Sequence, residues 1–163
     1  MIDVIIRLAT PDDAERVVAH ARAIVAEPIE TTPLAPDELR TIDETRLLMA
    51  VPVTLLAEVA GELLGLVTLR RPSPRRALQH AAVLGMSVRA ASRRQGVGRA
   101  LMTAILAWAG DNGVTRIELQ VFARNAVAIA LYEQFGFERE GVRRRSILLD
   151  GEYLDDVLMA RLL

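Results

Sequence analysis

The stretch Ser92-Arg93-Arg94-Gln95-Gly96-Val97-Gly98-Arg99-Ala100-Leu101 decides how the rest of the chain is read. It sets two glycines one residue apart, with arginine on both sides, just ahead of helix-forming residues. A helix N-terminus offers unpaired backbone N–H groups and roughly half a positive charge. Gly96 and Gly98 carry no Cβ, so the backbone there can approach a phosphate and turn its N–H groups inward. The segment therefore reads as a phosphate-wrapping turn that opens a helix, and its surroundings must say of which kind.

Composition removes several classes of protein. A chain of 163 residues fits one domain, 1–163, able to bury roughly 70% of its unfolded surface. Apolar residues make up 52% and aromatics only 4%, so the core must be built from Ala, Val, Leu and Ile. All 20 basic residues are arginine, which excludes a Walker lysine and a lysine Schiff base. No cysteine is present, so disulfides and thiol nucleophiles are excluded as well. His20 and His80 are too few for a zinc site, and no metal is expected. A net charge of −1 speaks against a general nucleic-acid binder. The opening MIDVIIRL lacks the pattern of a signal peptide, and no apolar run reaches the length of a membrane span. The expectation is a cytoplasmic protein with neither nucleic acid nor membrane as partner.

Periodicity supplies the elements. Val4–Leu8 reads as a strand, and Thr10-Pro11-Asp12-Asp13 as a helix start with Thr10 as cap. Val17, Val18, Ala21, Ile24 and Val25 give that helix its apolar face, with His20 beside it as a structural or solvated residue. Glu27–Pro36 is a proline-bounded loop, followed by a helix from Asp37 to about Leu48. Val53–Val59 and Leu63–Leu69 read as a hairpin across Ala60-Gly61-Glu62, then Arg70–Gln79 as a solvated basic loop. A strand over Ala82–Val88 leads into the glycine turn and a helix over Val97–Trp108. A strand over Arg116–Phe122, a helix over Asn125–Phe135 and two strands around Asp150-Gly151 complete the chain. Strands and helices alternate, with hairpins at both ends, so the sheet should be mixed.

Two phosphate loops fail on this chain. A P-loop needs Gly-Lys-Ser/Thr, and there is no lysine. A dinucleotide turn needs a third small residue where Leu101 stands, and an acid ending the next strand, whereas Glu118 lies mid-strand. The run Arg93-Arg94-Gln95-Gly96-Val97-Gly98 instead has the Gln/Arg-x-x-Gly-x-Gly/Ala form of the acyl-CoA loop of the GNAT superfamily of N-acyltransferases, which the chain resembles over most of its length. Downstream, Asn125, Ala128, Ile129, Leu131, Tyr132, Gly136 and Phe137 are similar to that family's Asn…Ala-Ile-x-Leu-Tyr…Gly-Phe segment, and Asp150-Gly151-Glu152-Tyr153 and Met159-Ala160 are also similar. Ala90 departs from the pattern, since many relatives carry proline there.

The resemblance implies an α/β fold (α+β by some schemes), with a mixed, central, splayed β-sheet flanked by helices. It implies acetyl-CoA as cosubstrate, with the amides from Arg94 to Arg99 cradling the pyrophosphate and Arg93, Arg94, Gln95, Gly96, Val97, Gly98 and Arg99 forming the cofactor loop. Arg89, Arg93, Arg94 and Arg99 would add a local positive field. The pantetheine arm would pair with main chain near Met86 and Val88, leaving a backbone N–H, that of Val88, for the thioester oxygen. Asn125 and Tyr132 would lie near the cofactor, with Tyr132 as general acid, although the same tyrosine can simply pack against Phe135 and Phe137. Proton transfer from a phenol of pKa ~10 to a thiolate of pKa ~8.5 is uphill by about 2 kcal/mol unless the site shifts one of them. Glu30, His80 and Glu118 are the base candidates, each with a plain structural alternative. Without cysteine no acyl-thioenzyme can form, so transfer should be direct, in a ternary complex. The expected acceptor is a small-molecule primary amine. The alternatives are a protein N-terminus, or a non-catalytic acyl-CoA-binding domain. A homodimer is expected, with the apolar tail Val157–Leu163 either forming an edge strand at its interface or completing the core.

Overall fold

The structure, a computed structural model, describes residues 3–27, 39–49 and 53–163. Its strands are β1 (Ile5–Leu8), β2 (Val53–Val59), β3 (Glu62–Arg70), β4 (Ala81–Val88), β5 (Arg116–Phe122), β6 (Glu138–Leu149) and β7 (Glu152–Leu162). Its helices are α1 (Ala14–Val25), α2 (Ile42–Met49), α3 (Val97–Asp111) and α4 (Ala126–Gln134). The strands form one sheet in the order β1-β2-β3-β4-β5-β7-β6, with β4 and β5 parallel and the other neighbours antiparallel. The expected mixed sheet flanked by helices is therefore the one observed.

Short-range chemistry fixes the ends of these elements. The β2–β3 turn places Ala60 at φ 49° and Gly61 at φ 81°, and the β6–β7 turn places Asp150 at 51° and Gly151 at 81°. Two successive left-handed residues are the type I′ geometry that matches strand twist. Pro11–Asp13 forms a 3-10 turn rather than the first turn of α1. The helix expected from Asp37 starts at Ile42; residues 37–38 lie outside the described residues, and 39–41 are not helical. Its start is set by a capping box, in which the Thr41 hydroxyl accepts from the Glu44 N–H at 3.2 Å and the Glu44 carboxylate accepts from the Thr41 N–H at 2.8 Å.

The core lies between the sheet and α3. Val97, Leu101, Met102, Ile105 and Ala109, at helical spacing, are each 0–1% exposed and pack with Leu55, Val67, Leu84, Ile117 and Leu119. Each large aliphatic side chain buried this way contributes roughly 1.5–3 kcal/mol. At Gly65 of β3 a Cβ would stand 2.8 Å from the Ser87 carbonyl oxygen and 3.3 Å from Leu101, so only glycine lets β3, β4 and α3 meet there. The tail is not an edge strand. β7 lies between β5 and β6, with Val157, Met159 and Ala160 buried, so it completes the core, and β6 forms the edge.

Candidate active site

The site begins where β4 and β5 stop pairing. Their ladder consists of Ala81–Arg116, Ala82–Ile117 and Val83–Glu118, although β4 runs on to Val88 and β5 to Phe122. On its other side β4 pairs with β3 from Val83 to Val88. The Arg89 N–H donates to the Leu64 carbonyl at 2.9 Å. Antiparallel bonding alternates along a strand, so Ser87, Gly85 and Val83 also direct their backbone groups at β3. The last rung of the β4–β5 ladder uses the Leu84 N–H, so beyond it the main-chain groups of Met86 and the N–H of Val88 point the other way, into the opening beside β5. That is the splay expected of the sheet, and it exposes a free backbone edge inside the molecule.

The glycine turn caps the wide end of this opening. After a 3-10 turn at Ala90–Ser92, Arg94 adopts φ 60° and Gly96 φ 89°. Ala100 N–H donates to Gly96 O at 3.0 Å, which leaves the amides of Val97, Gly98 and Arg99 without an intrahelical acceptor. The two glycines serve different ends. Gly96 has open space around it and is needed for its positive φ; at Gly98 a Cβ would lie 3.2 Å from Leu131 Cδ2 and 4.0 Å from Met86 Cε, so its bare backbone lets α3 approach α4.

Several arginines are committed within the fold. Arg93 Nε donates to the Val88 carbonyl at 3.0 Å, and its guanidinium pairs with Glu27. Glu27 also accepts from the Ala90 N–H at 2.9 Å. Arg89 pairs with Glu62 at 3.0 Å, and Arg99 donates to Gln134. Gln95 Nε2 donates to the Ala91 carbonyl at 2.8 Å. Arg94 is exposed and has no partner among the described residues, so it is the side chain of this group left free for an anion. The positive field expected of four arginines is thus partly spent on shaping the turn.

Tyr132 and Asn125 belong to α4. Asn125 Oδ1 accepts from the Ala128 N–H at 3.1 Å as the helix N-cap, a bond worth about 1 kcal/mol. Tyr132 is 7% exposed, packs on Phe137 with ring centroids 5.8 Å apart, and its hydroxyl has no hydrogen-bond partner among the described residues. Burial pushes its pKa up to about 12. This is opposite to the shift that would ease proton transfer. Against a thiolate of pKa ~8.5 the full transfer is now uphill by about 5 kcal/mol, so the phenol is suited to donating a hydrogen bond while keeping its proton.

On the sheet face away from α3, Val83, Glu118, Gln120, Glu140, Arg143 and Leu158 line a cleft of about 210 Å³. Arg143 donates to Asp156 at 2.6 Å and to Gln120 at 2.7 Å, while Glu118 lies 3.4 Å from Arg116. Of the base candidates, Glu118 is therefore beside the opening. His80 precedes β4 at its paired end, about 26 Å of extended strand from Val88, and the structure does not bring it to the others. Glu30 lies outside the described residues. Sequence reasoning missed Glu27, whose one signal was an acid beyond a helix C-terminus, where the dipole disfavours it. It also missed the contact between His20 and Ser87, whose 2.9 Å bond joins residues 67 positions apart.

Residues 15–137 match the family model described as the acetyltransferase (GNAT) family, and the chain belongs to that family. It is 40% identical over 110 residues to the L-amino acid N-acetyltransferase AaaT of Escherichia coli K12, a match covering 66% of each chain. It is 36% identical over 83 residues to the [ribosomal protein bS18]-alanine N-acetyltransferase of the same strain, covering 51% of this chain and 56% of that one. The chain thus spans two thirds or less of the length of these curated relatives. Among solved structures, a GNAT-family acetyltransferase from Streptococcus pneumoniae superposes with a TM-score of 0.92 at 29% identity, over 99% of this chain and 100% of that one.

Proposed function

We propose that this protein transfers an acetyl group from acetyl-CoA to the primary amine of a small molecule, an amino acid being the leading acceptor, by direct attack with both substrates bound. The observation that carries this reading is the early end of the β4–β5 ladder, which leaves the Met86 and Val88 amides facing an opening beside the glycine turn. The likeness to an L-amino acid N-acetyltransferase supports the acceptor class.

The residues present fit the cosubstrate. The free amides of Val97, Gly98 and Arg99 and the Arg94 side chain would take the diphosphate, with Gly96 setting the turn. Main chain of Met86, next to Val88, would pair with an amide-bearing arm laid along β4 as an added strand. Acetyl-CoA supplies the acyl group as a thioester. The Val88 N–H would hold its carbonyl oxygen as charge builds there. The Tyr132 hydroxyl, unpaired in the fold, would hydrogen-bond the departing sulfur. An alkylamine of pKa ~10 must lose a proton before attack. Glu118, which lines the cleft, would take it through water.

The same reading places the enzyme in the cytoplasm as a homodimer. No helix among the described residues is long and apolar enough to cross a membrane. The edge strand β6 has no outer neighbour among the described residues and leaves Val142 and Leu148 more than half exposed, a surface that a second copy would cover.

A thiol-release assay with acetyl-CoA and a panel of amino acids and other amines tests the function. Turnover is expected on small amines. Acetyl-CoA binding without release on any amine or peptide would overturn acetyl transfer and leave a binding domain. Turnover confined to peptides beginning with alanine would favour the second reading, a protein N-terminal acetyltransferase, to which the similarity to the bS18-alanine enzyme points.

A further inference from the structure

His20 is a costly residue where it stands. It is 1% exposed, on the face of α1 that packs against the sheet, and its Nδ1 has no hydrogen-bond partner among the described residues. A buried polar atom without a partner brings a penalty and no structural return. Its other ring nitrogen, Nε2, lies 2.9 Å from Ser87 Oγ.

Ser87 occupies a particular place on β4. Side chains alternate along the strand, so Met86 faces α3 and α4, near Gly98 and Leu131, while Val83, Gly85 and Ser87 face the α1 side. On that face Gly85 is exposed and has no side chain, and Val83 lines the cleft that contains Glu118. The hydroxyl of Ser87, half-buried, therefore stands at one end of a bare strip of strand whose other end is the cleft. It is also one residue from Val88, whose amide faces the opening.

We propose that the Ser87 hydroxyl binds the nitrogen of the acceptor amine, and that His20 is a positioning residue that fixes the direction of that hydroxyl. This deepens the acetyltransferase reading and rests on it. A neutral amine brings N–H donors and one lone pair, and the lone pair must stay free to attack. If His20 Nε2 accepts the Ser87 O–H, the oxygen presents only lone pairs outward and can bind an amine N–H without occupying the attacking electrons. The opposite tautomer would aim the hydroxyl hydrogen at those electrons. The productive tautomer carries its proton on Nδ1, the atom the fold leaves unpartnered. Burial, and then the charge of Arg89, hold the imidazole pKa down to about 4 against the opposing pull of Glu27, so the ring stays a neutral acceptor. No proton leaves the amine in this contact.

The test measures steady-state kinetics and acetyl-CoA binding for the wild type, Ser87→Ala, His20→Phe and the double variant, with a small amine that the wild type acetylates. Ser87→Ala should lower kcat/KM for the amine about tenfold, while its acetyl-CoA Kd stays at the wild-type value. If His20 acts through Ser87, adding His20→Phe to Ser87→Ala should change kcat/KM no further. An active wild type beside a Ser87→Ala variant of unchanged kcat/KM would overturn this proposal alone, as would a drop matched by an equal loss of acetyl-CoA affinity. Additive losses in the double variant would remove His20 from the role. A wild type that binds acetyl-CoA yet acetylates no amine would overturn the transferase reading and this proposal together.

Discussion

β3 and β5 both flank β4, and they treat it differently. Along β3 the pairing runs from Arg70–Val83 to Gly65–Val88, reinforced by Arg89 N–H to Leu64 O at 2.9 Å. Along β5 it ends after Val83–Glu118. The zipped side satisfies its backbone within the fold, and a glycine with no room for a Cβ holds its layers together. The open side keeps β4 amides unspent, which is a cost to stability unless a ligand with its own amides occupies the space. On the proposed reading, binding capacity would reside in main chain that the sheet declines to pair, while side chains such as Arg93 and Glu27 hold the rim in shape.

This contrast can be broken from either side. The largest effect should come from the zipped half: Leu101→Ala, at a position with 0% exposure under β3, should cost about 2–5 kcal/mol, read as a fall in denaturation midpoint. An unchanged midpoint would show that α3 does not carry the core. Tyr132→Phe should act on the open half alone, lowering kcat about 100-fold with no loss of midpoint, because the lost hydroxyl has no partner in the fold. Equal turnover would leave Tyr132 as packing. Gly96→Ala, in open space at φ 89°, should cost about 1–2 kcal/mol through backbone strain and weaken acetyl-CoA binding more than it lowers kcat.

What the sequence made legible follows the same division. Elements whose cause is local were readable: the turns at Ala60-Gly61 and Asp150-Gly151, the five inward residues of α3, and the Gly96 turn. The start of α2 was readable in principle from Thr41 and Glu44, but the proline and acid near residue 37 masked it. Features whose cause is distant were not. Nothing near His20 announces a serine 67 positions away, and nothing in Val157–Leu163 shows that β6 will lie outside it. The direction of the Tyr132 shift was equally hidden, because burial by Phe137 and the sheet sets it.

The smallest effect belongs to a region far from the opening, where Arg7 joins β1 to the start of α1 and to β2. Arg7 bonds Asp13 at 2.6 and 2.8 Å and Glu58 at 2.9 Å, and Arg16 reaches Glu58 at 2.7 Å. The hydrogen bond from Arg7 holds the Asp13 carboxyl well below the usual carboxylate range, aided by the Thr10 backbone N–H. A carboxyl depressed in the folded state adds stability above its unfolded pKa of about 3.9, and that stability drains away as pH falls below it. Asp13→Asn should therefore lower stability by about 1 kcal/mol at neutral pH, through the lost cap and ion pair. The gap between the two proteins should narrow steadily below about pH 4. A gap that stays constant from neutral pH down to about 3 would mean that the carboxylate charge contributes nothing and that shape alone fixes this corner.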